Sequence, residues 1–279
     1  MDASLADYLR AIFLGLLQAL TEFLPISSSG HLVLAPHLIG DQVSSLTFDV
    51  GLHIGTLFAV LIYFWRDWTS IAVSLLADLP RHRAHVGRWS EASRLGLWIV
   101  VATVPAVIVG ALLKDTLEHW FRAPVAVGVS LLFFSGVIWF ADRVGGQYLE
   151  LRDVNARRSV IIGLAQAVAL IPGTSRSGIT IAAARGLGFE RPAAARFSFM
   201  LSAPAVAGAA VLTLGGAIAN HEAIAWGPLV VGAITSALAG MVVIRVLLQY
   251  VQTRSLDVFI WYRVALGCAV LVAAALGWL

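Results

Sequence analysis

The chain has 279 residues, of which 59% are hydrophobic and only 13% charged, with a mean hydropathy of +0.86. A soluble domain normally carries about a quarter charged residues, so this composition excludes a water-soluble globular protein and indicates an integral membrane one. The formal net charge of +3 is spread between apolar runs without a dense basic cluster, which argues against nucleic acid as a partner.

The N-terminal MDASLADYLRAIFLGLLQAL carries acidic residues ahead of its apolar run, unlike a signal peptide. From there the apolar stretch 9–38 is interrupted in its middle by Pro25 and the SSSG run, so one continuous helix is not expected. Spanning helices are expected at about 50–65, 95–113 and 124–140, each close to the roughly 20 residues that cross a bilayer core. A second interrupted stretch, 159–186, breaks at PGTSRSG, and three more spans follow at about 192–214, 227–248 and 258–279. Non-helical backbone at membrane depth requires protein or a water-filled cavity around it, so 9–38 and 159–186 read as re-entrant helical hairpins. Trp65, Trp68, Trp139, Trp226 and Trp261 lie near span ends as interfacial anchors, and the single Cys268 makes no intrachain disulfide or Cys-based metal site.

Residues 15–30 and 163–178 align without gaps with seven identities in sixteen positions: Gly15/Gly163, Leu16/Leu164, Gln18/Gln166, Ala19/Ala167, Ser27/Ser175, Ser29/Ser177 and Gly30/Gly178. The expectation is an all-α polytopic membrane protein, a single membrane domain over 1–279 built as two repeats. Repeat one, 1–145, has hairpin 9–38 and three spans; repeat two, 155–279, has hairpin 159–186 and three spans. Three is odd, so the second repeat enters the membrane inverted, an arrangement whose sites lie near the midplane between the halves. The two hairpin tips are expected to meet there. Arg66, Arg81, Arg83, Arg88 and Arg94 follow the first span, Arg143, Arg152, Arg157 and Arg158 precede the second hairpin, and Arg185, Arg191 and Arg196 follow it. Only Arg10, Lys114 and Arg122 fall near the opposite ends, and the positive-inside rule then puts the rich side in the cytoplasm and both termini outside.

A charge at the centre of a membrane helix costs roughly 2.5–3.5 kcal/mol, which makes Glu22 and Arg176 functional candidates. Glu22 aligns with Leu170 and Arg176 with Ser28, so each half supplies one charge that the other lacks. Pro172, Gly173, Thr174, Ser175, Arg176, Ser177, Gly178 and Thr180 form a tip rich in donors suited to phosphate oxygens, to which arginine adds a planar fork. The competing explanation is that these hydroxyls and glycines only permit close helix packing. His31 is either an interfacial imidazole hydrogen-bonded to backbone or, as a group of a type that titrates near neutral pH, a general acid or base, the reading its company favours. Ser27, Ser28 and Ser29 are open among helix caps, phosphate ligands and a nucleophile. Asp49, His53 and Glu118 are weaker candidates: Asp49 borders the first span, and His53 either reaches the pocket or bonds a neighbouring helix. His82, His85, His119 and His221 are expected in solvated loops.

Together QALTEFLPISSSGHL and PGTSRSGIT resemble the two signature segments of the undecaprenyl-diphosphate phosphatase family, the bacitracin-resistance type of bacterial membrane enzyme. The resemblance rests on Gln18, Glu22, Ser27, Ser28 and His31 in the first segment and Gly173, Ser175, Arg176, Ser177 and Thr180 in the second. It covers essentially the whole chain. It implies hydrolysis of undecaprenyl diphosphate to the monophosphate carrier used in cell-wall synthesis, in the bacterial inner membrane, with a divalent cation such as Mg²⁺ or Ca²⁺ assisting. The implied roles are catalysis by Glu22, His31, Arg176 and Ser28, with Ser27, Gly173, Thr174, Ser175, Ser177 and Thr180 on the phosphates. In this picture His31 protonates the leaving group or activates water, or Ser28 or Ser175 attacks first with His31 as its base, while Glu22 binds the cation or orients the nucleophile. Glu22, with Gln18 as a weaker donor, would hold the cation; where a member of the family has Glu at the Gln18 position, two carboxylates share the metal. Lipid substrate and membrane lipids are the implied partners, with a homodimer left open, and a secondary transporter or lipid flippase with an anion site between the repeats is the alternative.

Overall fold

The computed structural model describes residues 3–28, 30, 31, 46–120, 123–220 and 224–279, the side chains of Leu46 and 114–120 excepted. The second arm of the first hairpin beyond His31, together with Ser29, Arg122 and His221, lies outside the described residues, as do the side chains of Lys114, Glu118 and His119.

Helix α1, Leu5–Phe23, starts with a capping box in which the Ser4 hydroxyl accepts from the Asp7 amide and Asp7 accepts from the Ser4 amide. It stops where Pro25 pushes the preceding residue out of the helical region: Leu24 is extended, with ψ 141°. Then follow α2, Leu46–Tyr63; α3, Trp65–His82; α4, Glu91–Trp120; and α5, Pro124–Val144. The second half of the chain holds α6, Ala156–Val168; α7, Arg176–Gly186; α8, Arg191–Ala219; α9, Trp226–Thr253; and α10, Asp257–Ala275. Five of these helices are long and apolar enough to cross a membrane: α4 through Leu113, α5, α8, α9 and α10. The pair α2 and α3, bent by 73° at Phe64, makes a sixth if counted as one span. The chain is thus an all-helical polytopic membrane protein, and both expected interruptions fall between helices, after Phe23 and between Val168 and Arg176.

Helix α3 corrects the reading of 66–94 as a plain connection. Its arginines and aspartates suggest loop, yet the apolar residues recur on one side and bury Ile71, while Asp67 and Asp78 stay on the polar side. His82 is the last residue of that helix rather than a loop residue, whereas His85 follows it in exposed chain.

Helix α2 packs on α8 and α9, α5 on α10, α1 on α9, and α6 on α4. The last two contacts are made alike. A Cβ on Gly15 would lie 2.5 Å from the Gly232 carbonyl, and one on Gly163, its partner in the sequence alignment, 2.5 Å from the Ala102 carbonyl. Only glycine lets backbones approach so closely. The main core runs from Phe23 and Ala59 through Ile138, Ile162 and Ile181 to Phe199 and Met200, so α7 sits inside the bundle against α5, α6 and α8.

Arg185 anchors α7 and is not the loop charge its sequence position suggests. Its guanidinium is fully buried and donates to Asp142 Oδ1 at 3.0 Å and to the carbonyls of Asp142, Gly145, Gly146 and Phe189. Asp142 also accepts from Arg191 and from the Leu256 amide, tying the ends of α5, α7, α8 and α10 into one knot. A buried cation is tolerated because its donors are satisfied.

Candidate active site

Both interrupted stretches place a serine where the backbone turns. Ser27 has φ 78° and Ser175 φ 74°, a left-handed conformation that costs a non-glycine residue about 1–3 kcal/mol. Each serine also makes the same bond: Ser27 Oγ accepts from the Gly30 amide at 3.3 Å, and Ser175 Oγ from the Gly178 amide at 3.1 Å. Ser175 is thereby the N-cap of α7, and the cap sets Arg176 as the first residue of that helix. From there the guanidinium crosses to the other half of the chain.

Arg176 Nη2 donates to Glu22 Oε1 at 2.6 Å, joining residues 154 apart in sequence. Beside it Ser177 Oγ donates to the Leu24 carbonyl at 3.2 Å, so the two tips touch through both a charge pair and a main-chain bond. Glu22 Oε2 accepts from Ser28 Oγ at 2.6 Å and from Gln18 Nε2 at 3.1 Å, and His53 Nε2 lies 3.5 Å away. The carboxylate is therefore ringed by donors, while Arg176 Nη1 is buried with no partner among the described residues. A guanidinium with one edge bound and one donor spare is suited to receive an oxyanion.

Ser28 meets Glu22, not His31. The His31 Nδ1 lies 2.7 Å from the Ser27 carbonyl and must carry hydrogen to bond it, which leaves Nε2 of the neutral ring to accept from Tyr262 OH at 2.7 Å. The two rings are stacked, 5.7 Å between centroids and 5° from parallel. Among the described residues no hydrogen bond joins His31 to Glu22, Ser28 or Arg176.

The remaining tip residues are engaged in packing. Thr180 Oγ1 donates to the Arg176 carbonyl and pairs with Ser198 of α8 at 2.6 Å, Thr174 faces Ser130 of α5 at 3.5 Å, and Ser175 and Ser177 hydroxyls are 3.3 Å apart. Gly173 offers its carbonyl to Arg263 Nη2 at 3.0 Å. Arg263 is fully buried in α10 and also donates to Ser135 Oγ at 3.1 Å. Adjacent residues of α10 thus hold one interrupted stretch each, Tyr262 through His31 and Arg263 through Gly173. Neither was picked out from sequence, although Arg263 interrupts the apolar run 258–279 in the same way that marks Glu22 and Arg176.

A family model described as bacitracin resistance protein BacA matches residues 11–269. The chain belongs to the BacA family. Among its curated relatives, the undecaprenyl-diphosphatase of Desulforudis audaxviator is 45% identical over 267 residues, covering 96% of this chain and 98% of the relative. That of Geotalea daltonii is 45% identical over 270 residues, covering 95% and 98%, and that of Geobacter sulfurreducens 46% identical over 268 residues, covering 95% and 97%.

Within this BacA family member, the oxygen donors near the tips suit a hard cation. Gln18 Oε1 is buried without a partner among the described residues, one helical turn from the Glu22 carboxylate. No group of three or more His, Cys, Asp or Glu gathers to cage a metal among the described residues. The set fits an ion that draws most of its ligands from water and phosphate oxygens, as Mg²⁺ commonly does.

Proposed function

We infer that this BacA family member is a membrane undecaprenyl-diphosphatase, hydrolysing undecaprenyl diphosphate to undecaprenyl phosphate and inorganic phosphate. That reaction recycles the lipid carrier for cell-wall synthesis and underlies bacitracin resistance. The observation that carries the reading is the Glu22–Arg176 contact at 2.6 Å, in which the two signature segments build one buried polar site beside a spare guanidinium donor.

In the mechanism we propose, the diphosphate head lies between the hairpin tips while the prenyl chain stays in lipid. Arg176 binds the terminal phosphate and offsets the charge on its oxygens as the P–O bond to the bridging oxygen breaks. Ser28 Oγ attacks the terminal phosphorus and Glu22 takes its proton, a reading supported by the Ser28–Glu22 hydrogen bond at 2.6 Å. Lipid monophosphate departs; water then attacks the phosphorus on Ser28, its OH staying with the phosphate and its other proton going to Ser28 Oγ as the P–Oγ bond breaks, and the proton on Glu22 is released to water. His31 at the same tip, with Nδ1 fixed on the Ser27 carbonyl and Nε2 accepting from Tyr262 OH, orients the turn that carries Ser28. A divalent cation, held by Glu22 and Gln18 Oε1, supplies further neutralisation of phosphate charge when bound.

The proposed setting is the bacterial inner membrane, with the site opening to the outer side and the halves forming an inverted repeat. Supporting the repeat are the matched glycine contacts of Gly15 and Gly163 and the matched turns at Ser27 and Ser175. The test is phosphate release from undecaprenyl diphosphate by purified protein, wild type beside Arg176→Ala, with Mg²⁺, with Ca²⁺ and with chelator. Release that needs the cation and vanishes in Arg176→Ala is expected. Folded wild-type protein that releases none under any of these conditions would overturn the assignment.

A further inference from the structure

Away from the hairpin tips, the seam between α2 and α9 has two contrasting parts. An apolar furrow of about 450 Å³ runs past Ile54, Phe58 and Ile62 on α2 and Val230, Ile234 and Leu238 on α9, with no charged or amide side chain among the described residues that line it. From Leu229 to Met241 at its walls, α9 rises about 18 Å at 1.5 Å per residue, which exceeds half of a roughly 30 Å hydrocarbon core. The furrow is therefore as deep as one leaflet. Beyond its end, where α2 passes into α3, lies a cavity of about 690 Å³ lined by Arg66 and Asp67 of α3, Arg196 of α8, and Arg245 and Gln249 of α9 among others.

The charges in that cavity do not balance. Three arginines face one aspartate, and Asp67 already accepts from Arg196 Nη2 at 2.5 Å. Arg66 is stacked on the Trp65 ring at 5.4 Å, Arg196 Nε is buried without a partner among the described residues, and Arg245 has no hydrogen bond or ion pair among them. A second cavity of about 600 Å³, on the other side of Asp67 and Arg196, provides the contrast: there Arg94, Arg152 and Arg196 face Asp67, Glu91 and Glu150, three against three. Of these two cavities, the one at the end of the furrow carries the excess of positive charge among the described residues. It also lies at the 73° bend where α2 gives way to amphipathic α3.

We propose that this seam is a binding site for an acidic bilayer phospholipid, with an acyl chain in the furrow and the phosphate head among Arg66, Arg196 and Arg245. An apolar channel one leaflet deep that ends in unneutralised arginines matches an anionic amphiphile at both ends. A zwitterionic head would bring its own cation beside three others. The head-group end is separate from the chemistry: His53, which faces Glu22, lies ten residues before Tyr63 on α2, about 15 Å along the helix.

The test uses the full chain in detergent, with bound lipid counted by native mass spectrometry while long-chain phosphatidylglycerol is titrated. The probes compared with it are long-chain phosphatidylcholine, phosphatidylglycerol with six-carbon chains, inorganic phosphate and a polyprenyl monophosphate. Each arginine neutralised is expected to weaken phosphatidylglycerol binding about fivefold, so Arg66→Gln with Arg245→Gln weakens it about 25-fold. Arg254→Gln, which removes the same charge from the exposed C-cap of α9 outside the cavity, is expected to leave it unchanged. All variants keep phosphate release in phosphatidylcholine within about twofold of wild type, which reports their folding. Equal loss in Arg254→Gln would reduce the effect to general surface charge and overturn the proposal. Equally tight binding of inorganic phosphate or the six-carbon lipid would make it a soluble-anion site, and tighter binding of the polyprenyl monophosphate would make it a product site; either result overturns it as well.

Discussion

Replacing Arg263 with methionine separates what holds the fold from what holds the site. The wild-type guanidinium is fully buried and donates to Ser135, Leu131 and Gly173, and it forms no ion pair among the described residues. Its two better bonds, at 3.1 and 3.0 Å, are each worth about 1.5–3 kcal/mol for a charged donor. Against them stands a desolvation cost of several kcal/mol for a buried, unpaired cation, which methionine of similar reach does not incur. The two nearly cancel, so overall stability is expected to change by no more than about 2 kcal/mol. The tip loses its tether at Gly173, however, and a displacement of about 1 Å at a reacting group can cost 10²-fold in rate. Phosphate release measured alongside thermal unfolding should therefore show kcat/KM lower by about 100-fold at nearly unchanged unfolding temperature. Arg263→Lys, which keeps the charge but not the fork, should recover only part of it. A folded Arg263→Met protein with a rate within twofold of wild type would refute the positioning role of Arg263.

Ser28→Ala and Ser175→Ala should part company: the first lowers phosphate release by about 10²–10⁴-fold with little change in stability, the second loses a helix cap worth about 1 kcal/mol, readable by thermal unfolding. Asp142→Ala strips Arg185 of its counter-ion and should destabilise the protein by about 3–5 kcal/mol, seen as loss of monodisperse protein on mild heating. Gly163→Val drives a side chain into the Ala102 carbonyl and should cost about 1–3 kcal/mol, with Gly15→Val costing a similar amount against Gly232; a neutral effect at either position would contradict the close approach.

Helix positions were legible because apolar run length and proline placement act locally. Pro25 and the PGTSRSG segment stop helices by backbone sterics whatever surrounds them, and α5, α8, α9 and α10 advertise themselves through hydropathy alone. Helix α3 was not legible in the same way, since its polar face dilutes the hydropathy that a spanning search detects. Glu22 and Arg176 could be singled out because a charge in an apolar run is costly wherever it sits. Their partners could not: whether Ser28 meets His31 or Glu22 depends on a turn at Ser27 with φ 78°, which residue identity does not announce. Tyr262 lies 231 residues from His31, and Arg185 looks like any arginine near a span end until the carbonyls of the loop after α5 close around it.

The separation of 154 residues between Glu22 and Arg176 bears on how the protein is made. At about 5–20 residues per second of synthesis, the guanidinium arrives roughly 8–30 s after the carboxylate. During that interval the first hairpin has Gln18, Ser28 and then His53 at hand but not its strongest counter-charge. Insertion of the N-terminal half into lipid before the second half exists would leave a carboxylate in hydrocarbon at considerable cost. Until Arg176 arrives the group is held by those neighbours or stays protonated, so the charged seating of the first interrupted stretch is coupled to synthesis of the second.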